Sequence, residues 1–169
     1  MSQFDWNKDA RTKALKAGDV EYLRRRTRFG GNKMYDGMPV LTWAVIDGEE
    51  AIVKLLLAEK ANVNAVSPFG SALLFAAGWN RPAIVQLLID AGADVDLADK
   101  SKKTPLHNVS SAGHEGPIKK LIAAKASVNL KNENDETPLM ITAANGRLAA
   151  TQLLLDAGAT LDDRDKDGN

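Results

Sequence analysis

The sequence of 169 residues contains no cysteine, which excludes disulfide scaffolds, thiolate metal sites and thiol nucleophiles together. Aromatic residues make up only 5% of the chain, and histidine occurs twice, at His107 and His114, so side chains suited to proton transfer near neutral pH are scarce. Neither sign of charge is in excess, with 22 basic and 22 acidic side chains. No apolar run approaches the roughly 18 residues needed to cross a bilayer. The segment Met1 to Asp9 has no apolar core of a secretory signal, so the chain reads as soluble and untargeted by that route. What remains, 44% hydrophobic and 26% charged, is enough for one domain with a core and too apolar for a wholly disordered chain.

The balanced charge conceals a pattern. Residues 1–33 carry nine basic and four acidic side chains, 34–98 three and eight, 99–131 seven and two, and 132–169 three and eight. Blocks of alternating sign argue against a uniformly basic nucleic-acid or membrane surface, and suggest an extended body whose patches meet different groups on a partner. The blocks follow an internal repeat. Lys103-Thr104-Pro105-Leu106-His107 and Glu136-Thr137-Pro138-Leu139-Met140 are offset by 33 residues. An alanine recurs at 61, 93, 126 and 159, and the apolar pairs Leu56-Leu57, Leu88-Ile89, Leu121-Ile122 and Leu154-Leu155 follow the same steps of 32, 33 and 33. Two registers in phase define four units.

Each unit reads as two short helices and a polar tip. Thr104 or Thr137 followed by proline starts a helix, because the hydroxyl accepts from an orphan backbone N–H and proline has none to lose. Gly48, Gly113 and Gly146, with Asn80 in the equivalent slot, supply the positive φ for the turn into the second helix, which Gly92 or Gly158 ends. No unit buries its own apolar face. The Thr-Pro-Leu-His stretch, the glycine between helices and Ala91-Gly92-Ala93-Asp94-Val95-Asp96 resemble the ankyrin repeat. That likeness covers units 34–66, 67–98, 99–131 and 132–164, and implies an all-α solenoid of stacked helix-turn-helix units with projecting hairpins. Pro39-Val40-Leu41-Thr42 and Ser71-Ala72-Leu73-Leu74 depart from Thr-Pro-Leu-His, and the unit carrying the latter is one residue short, which predicts an altered tip. Pro117 is tolerable if it falls in the first turn of its helix.

Residues 1–33 look like a degenerate capping unit, the first of five with the units from 34, 67, 99 and 132 as second to fifth, and carry Arg24, Arg25, Arg26 and Arg28 where an internal unit has apolar residues. The last unit has Leu148, Leu153, Leu154 and Leu155 like an internal one, and residues 165–169 read as the start of a further, truncated unit. The expectation is a segment of a longer protein, monomeric apart from an uncapped end.

An enzyme reading finds little support. His107 and His114 occupy slots where the ankyrin pattern itself has histidine, and are expected to hydrogen-bond neighbouring loops. Asp94, Asp96, Asp162 and Asp163 recur because the repeat recurs, and Gly30-Gly31 lacks the spacing of a phosphate loop. No catalytic, cofactor or metal residue is assigned.

The resemblance implies instead a protein-interaction module, intracellular in the cytoplasm or nucleus, whose partner lies on a concave face of tips and first helices. The residues mapped there are Tyr35, Asp36, Met38, Ile46 and Asp47; Pro68, Phe69 and Trp79; Lys100, Ser101, Lys103 and Ser111; and Glu133, Asn134, Glu136 and Asn145. Trp43 and Phe75 are read as core and Trp79 and Phe69 as exposed anchors, beside lysines at 100, 102 and 103. This suits a protein or peptide with an apolar anchor next to acidic residues. The rival is nucleic acid or anionic lipid binding through Arg24–Arg28, which no further basic stripe continues. The resemblance also implies, as a lower-ranked expectation, that Asn64 and Asn129 in the hairpin after the second helix serve as substrates of an asparaginyl hydroxylase, which would make the protein a substrate rather than a catalyst.

Overall fold

The structure, a computed structural model, describes residues 34–35, 37–161 and 163–168. The N-terminal unit with its arginine cluster, and also Asp36 and Asp162, lie outside the described residues. Eight helices are described, in four antiparallel pairs: α1 (Val40–Asp47) with α2 (Glu50–Ala58), α3 (Ala72–Gly78) with α4 (Pro82–Asp90), α5 (Pro105–Ala112) with α6 (Glu115–Ala123), and α7 (Pro138–Ala144) with α8 (Leu148–Asp156). First helices pack on first helices in the row α1-α3-α5-α7, and second helices form the row α2-α4-α6-α8. Among the described residues, strand is confined to two small antiparallel hairpins, β1 (Met34–Tyr35) with β2 (Met38–Pro39) and β3 (Val66–Ser67) with β4 (Gly70–Ser71). The expected all-α solenoid is what forms.

The local chemistry repeats with the sequence. Ser71, Thr104 and Thr137 each cap a first helix by accepting the backbone N–H three residues on, at 3.3, 3.4 and 3.3 Å. The inter-helix turn has positive φ at Gly48, Asn80, Gly113 and Gly146. At Gly113, with φ +74°, the need is double, because a Cβ there would stand 2.7 Å from the Arg147 side chain of the next unit. Each second helix closes on a backbone bond from the recurring alanine back to the buried leucine, Ala61 to Leu56, Ala93 to Leu88, Ala126 to Leu121 and Ala159 to Leu154, all 2.9–3.0 Å. Lys60 and Lys125 take the left-handed slot that Gly92 and Gly158 fill elsewhere. Pro117 is the third residue of α6, where its missing N–H has no intrahelical role, and α6 keeps the nine residues of its counterparts.

Apolar burial joins the units rather than closing any of them. One cluster runs from Leu41, Ile52 and Leu56 through Leu73, Ile84 and Leu88 to Leu106, Ile118 and Leu121 and on to Leu139, Ala150 and Leu154. Leu148 is a correction to the sequence reading: it is 84% exposed, in the outward slot that Glu50, Pro82 and Glu115 fill in the other second helices. Its spacing from Leu154 does not return it to the buried stripe. On α7, Ala143 is exposed where Ala77 and Ser110, its counterparts in the preceding units, are buried by the next helix. Side-chain clamps tie the loops after the second helices. Asn64 accepts from the Asp94 N–H at 2.8 Å, the Asp96 carboxylate from the Ser127 N–H at 2.9 Å, and Asn129 from the Thr160 N–H at 3.0 Å.

Candidate functional site

The projecting tips and the last turns of the first helices form the candidate surface. In the fourth unit Asp99 accepts the N–H groups of Ser101 and Lys103 at 2.8 and 2.9 Å. In the fifth Asn132 accepts those of Asn134 and Glu136 at 2.8 and 3.1 Å. An acceptor side chain thus folds the backbone of each tip around itself. The shortened third unit makes a two-residue turn, Pro68-Phe69, between β3 and β4, with the Phe69 N–H donating to Ser67 Oγ at 3.1 Å. This is the altered tip that the missing residue predicts, and it leaves Phe69 67% exposed.

Trp79 caps the C-terminus of α3 and is 48% exposed. Its indole meets the Phe75 ring edge-to-face at 6.0 Å, while Phe75 itself packs against the core, so the exposed aromatic is braced by a partly buried one. The same slot holds Asp47 in α1, Ala112 in α5 and Asn145 after α7. Beside the large indole, the small Ala112 leaves a step along the row of first helices. Trp43 is half-buried on α1.

The other mapped residues divide. Lys100, Lys103, Ser111, Glu133 and Asn134 are exposed, while Met38, Ile46, Asp47, Ser101 and Glu136 are half-buried. Of Tyr35 only the backbone, in β1, is described. Glu136 is committed to its own tip, its carboxylate accepting from Asn132 Nδ2 at 2.7 Å, and the Ser101 carbonyl accepts the Glu133 N–H at 3.0 Å, joining two tips. The Ser111 carbonyl accepts from Arg147 Nε at 3.3 Å, and Asn145 Nδ2 donates to the Ile141 carbonyl at 2.8 Å. Lys100, Lys102 and Lys103 are exposed and pair with no carboxylate among the described residues.

The histidines behave differently from each other. His107 is 1% exposed. Its Nδ1 accepts the Thr104 N–H at 3.2 Å, which fixes the proton on Nε2, and Nε2 donates to the Glu136 carbonyl at 3.1 Å. This bridge between α5 and the next tip matches the expectation. Burial holds the imidazole pKa below its ordinary 6.5, against the opposing pull of the Glu136 carbonyl. The neutral ring is therefore the native form. An unfolded chain binds the proton more readily, so this contribution to stability is present above pH 6.5 and is lost as pH falls below it through the lowered folded value. Urea midpoints measured between pH 7.5 and 5 should fall for the wild type and fall less for His107→Met. His114 departs from expectation: half-buried before α6, its ring makes no hydrogen bond among the described residues, in a slot that Glu49, Arg81 and Arg147 occupy in the other units.

The recurrent carboxylates are committed to structure. Asp94 accepts the Asp96 N–H at 3.0 Å, Asp96 holds Ser127, and Asp163 accepts from the Thr160 hydroxyl and pairs with Lys131 at 3.0 Å. The Thr160 and Lys131 donors keep the Asp163 carboxyl below the usual range. No group of three metal-ligating side chains occurs among the described residues. A shallow cavity of about 350 Å³ on the second helices is lined by Glu50, Lys54, Pro82, Ala83, Gln86, Leu87 and Lys120, with no histidine or hydroxyl nucleophile. Among the described residues no helix is long and apolar enough to cross a membrane.

A family model described as ankyrin repeats (3 copies) matches residues 73–167, and one described as ankyrin repeats (many copies) matches residues 41–89. The chain belongs to the ankyrin repeat family. It is 38% identical over 96 residues, 54% of its length, to the E3 ubiquitin-protein ligase Ufd4 of Drosophila melanogaster, and that match spans 4% of the ligase. It is 41% identical over 96 residues, 53% of its length, to the putative ankyrin repeat protein YahD of Escherichia coli, spanning 44% of that protein. A third relative, VAPYRIN-LIKE of Medicago truncatula, is 29% identical over 112 residues, 63% of this chain and 24% of its own. The chain thus spans less than half the length of each of these relatives. Repeats of this kind are generally protein–protein interaction modules.

Proposed function

We propose that residues 34–168 act as a non-catalytic docking module that binds a partner protein or peptide along the tips and the first-helix row, the concave face of such arrays. The observations that carry this reading are the exposed, braced indole of Trp79 at the C-terminal end of α3 and, at the projecting tips, the exposed Phe69 and three lysines that form no ion pair among the described residues. An isolated exposed apolar residue is ordinary on a protein surface, but an aromatic tip in the unit beside an unneutralised lysine tip supplies both an anchor and a means of orientation. The partner fitting this face has an apolar anchor next to acidic residues. The arginine cluster at 24–28 lies outside the described residues, so the nucleic-acid or lipid alternative gains no support from the structure.

The test is selection from a random peptide library displayed on phage. Peptides enriched on the wild type should lose about tenfold or more in affinity with Trp79→Ala, and comparably with Lys100→Glu and Lys103→Glu combined. Enriched peptides that bind both variants unchanged would place the docking surface elsewhere.

A further inference from the structure

Resting on that docking reading, we infer that the partner is an extended segment whose acidic residue lies between an apolar and a basic residue, each about three positions away. The order is written along the tips. The third unit presents Pro68 and Phe69, the fourth Lys100, Lys102 and Lys103, and the fifth Glu133 and Asp135, all exposed. The lysine and carboxylate tips are neighbours joined by the 3.0 Å bond from the Glu133 N–H to the Ser101 carbonyl. Despite that bond, no ammonium of one tip comes within 4.0 Å of a carboxylate of the other. Opposite charges stand side by side and do not cancel, so each remains free for a third party.

Packed helices lie about 10 Å apart, and an extended chain advances about 3.3 Å per residue, so a ligand crosses one unit in about three residues. An apolar side chain over Phe69 therefore sets an acidic residue near the lysine tip and a basic one near the carboxylate tip. A ligand with the two charges exchanged meets like charge at both. Because Asp99 and Asn132 already fold these tips, little ordering cost opposes the contact. The chain direction is open, but in either direction the acidic residue is central.

The test uses two capped heptapeptides of one composition, with tryptophan, glutamate and arginine at every third position and serine spacers, titrated by fluorescence anisotropy. In one the glutamate is central and in the other the arginine. The acid-centred peptide should bind at least tenfold more tightly, and less so in high salt. A charge-swapped protein, with Lys100→Glu, Lys102→Asp, Glu133→Lys and Asp135→Lys, should reverse the preference. Lys102 and Asp135 occupy equivalent slots with φ 56° and 59°, so the exchange suits the backbone. Equal binding of both peptides, still weakened by Phe69→Ala, overturns the order and leaves the docking face intact. Binding that ignores Phe69→Ala, or no binding of either peptide, overturns both.

Discussion

Leu88→Ala is expected to lower the unfolding free energy by about 2–5 kcal/mol, most of what a small domain has to lose. Leu88 is fully buried, and its carbonyl accepts the Ala93 N–H that closes α4. The helix that carries it, α4, packs against both α2 and α6. A void there weakens two interfaces at once in a stack where each unit has only its neighbours for support. The measurement is urea unfolding followed by circular dichroism. A loss under about 1 kcal/mol would mean that the second-helix row does not hold the stack together.

His107→Ala should cost about 2–4 kcal/mol, combining lost volume with the Thr104 N–H and the Glu136 carbonyl left without their partner. The protein contains its own control. In the fifth unit Met140 occupies the equivalent slot, and its Sδ lies 3.4 Å from the Thr137 N–H. His107→Met should therefore recover part of the loss, retaining volume and a weak acceptor but not the reach to the next tip. If methionine proves as damaging as alanine in urea titrations, the hydrogen-bonding account of this position fails. The first described unit shows the converse. There Pro39 stands where the capping hydroxyl would be, and the Thr42 hydroxyl, in the histidine slot, is buried without a partner.

Much of this was legible in the sequence because the repeat presents the same problem several times. Thr104, Thr137 and Ser71 read as helix starts since capping depends on a hydroxyl and the three residues after it, all local. The buried leucines at 56, 88, 121 and 154 follow from period alone. Leu148 did not, because helical spacing says which residues share a stripe but not where the stripe stops, and its slot turns outward. The His114 expectation failed for a related reason: a motif position predicts a partner only if the next loop delivers one, and here none arrives.

The candidate surface divides the same way. That Phe69, Trp79 and the lysines at 100, 102 and 103 fall in projecting slots was readable from the register. The edge-on support of Trp79 by Phe75, the vacant step at Ala112 and the unpaired charges of adjoining tips were not, since they depend on how one unit seats upon the next. Sequence alone determined the unit, its two helices, its caps and its period, because these are set by contacts within a few residues. Tertiary stacking decided which side chains are covered and which charges stay unneutralised, because neighbours about 33 residues away supply the covering surface.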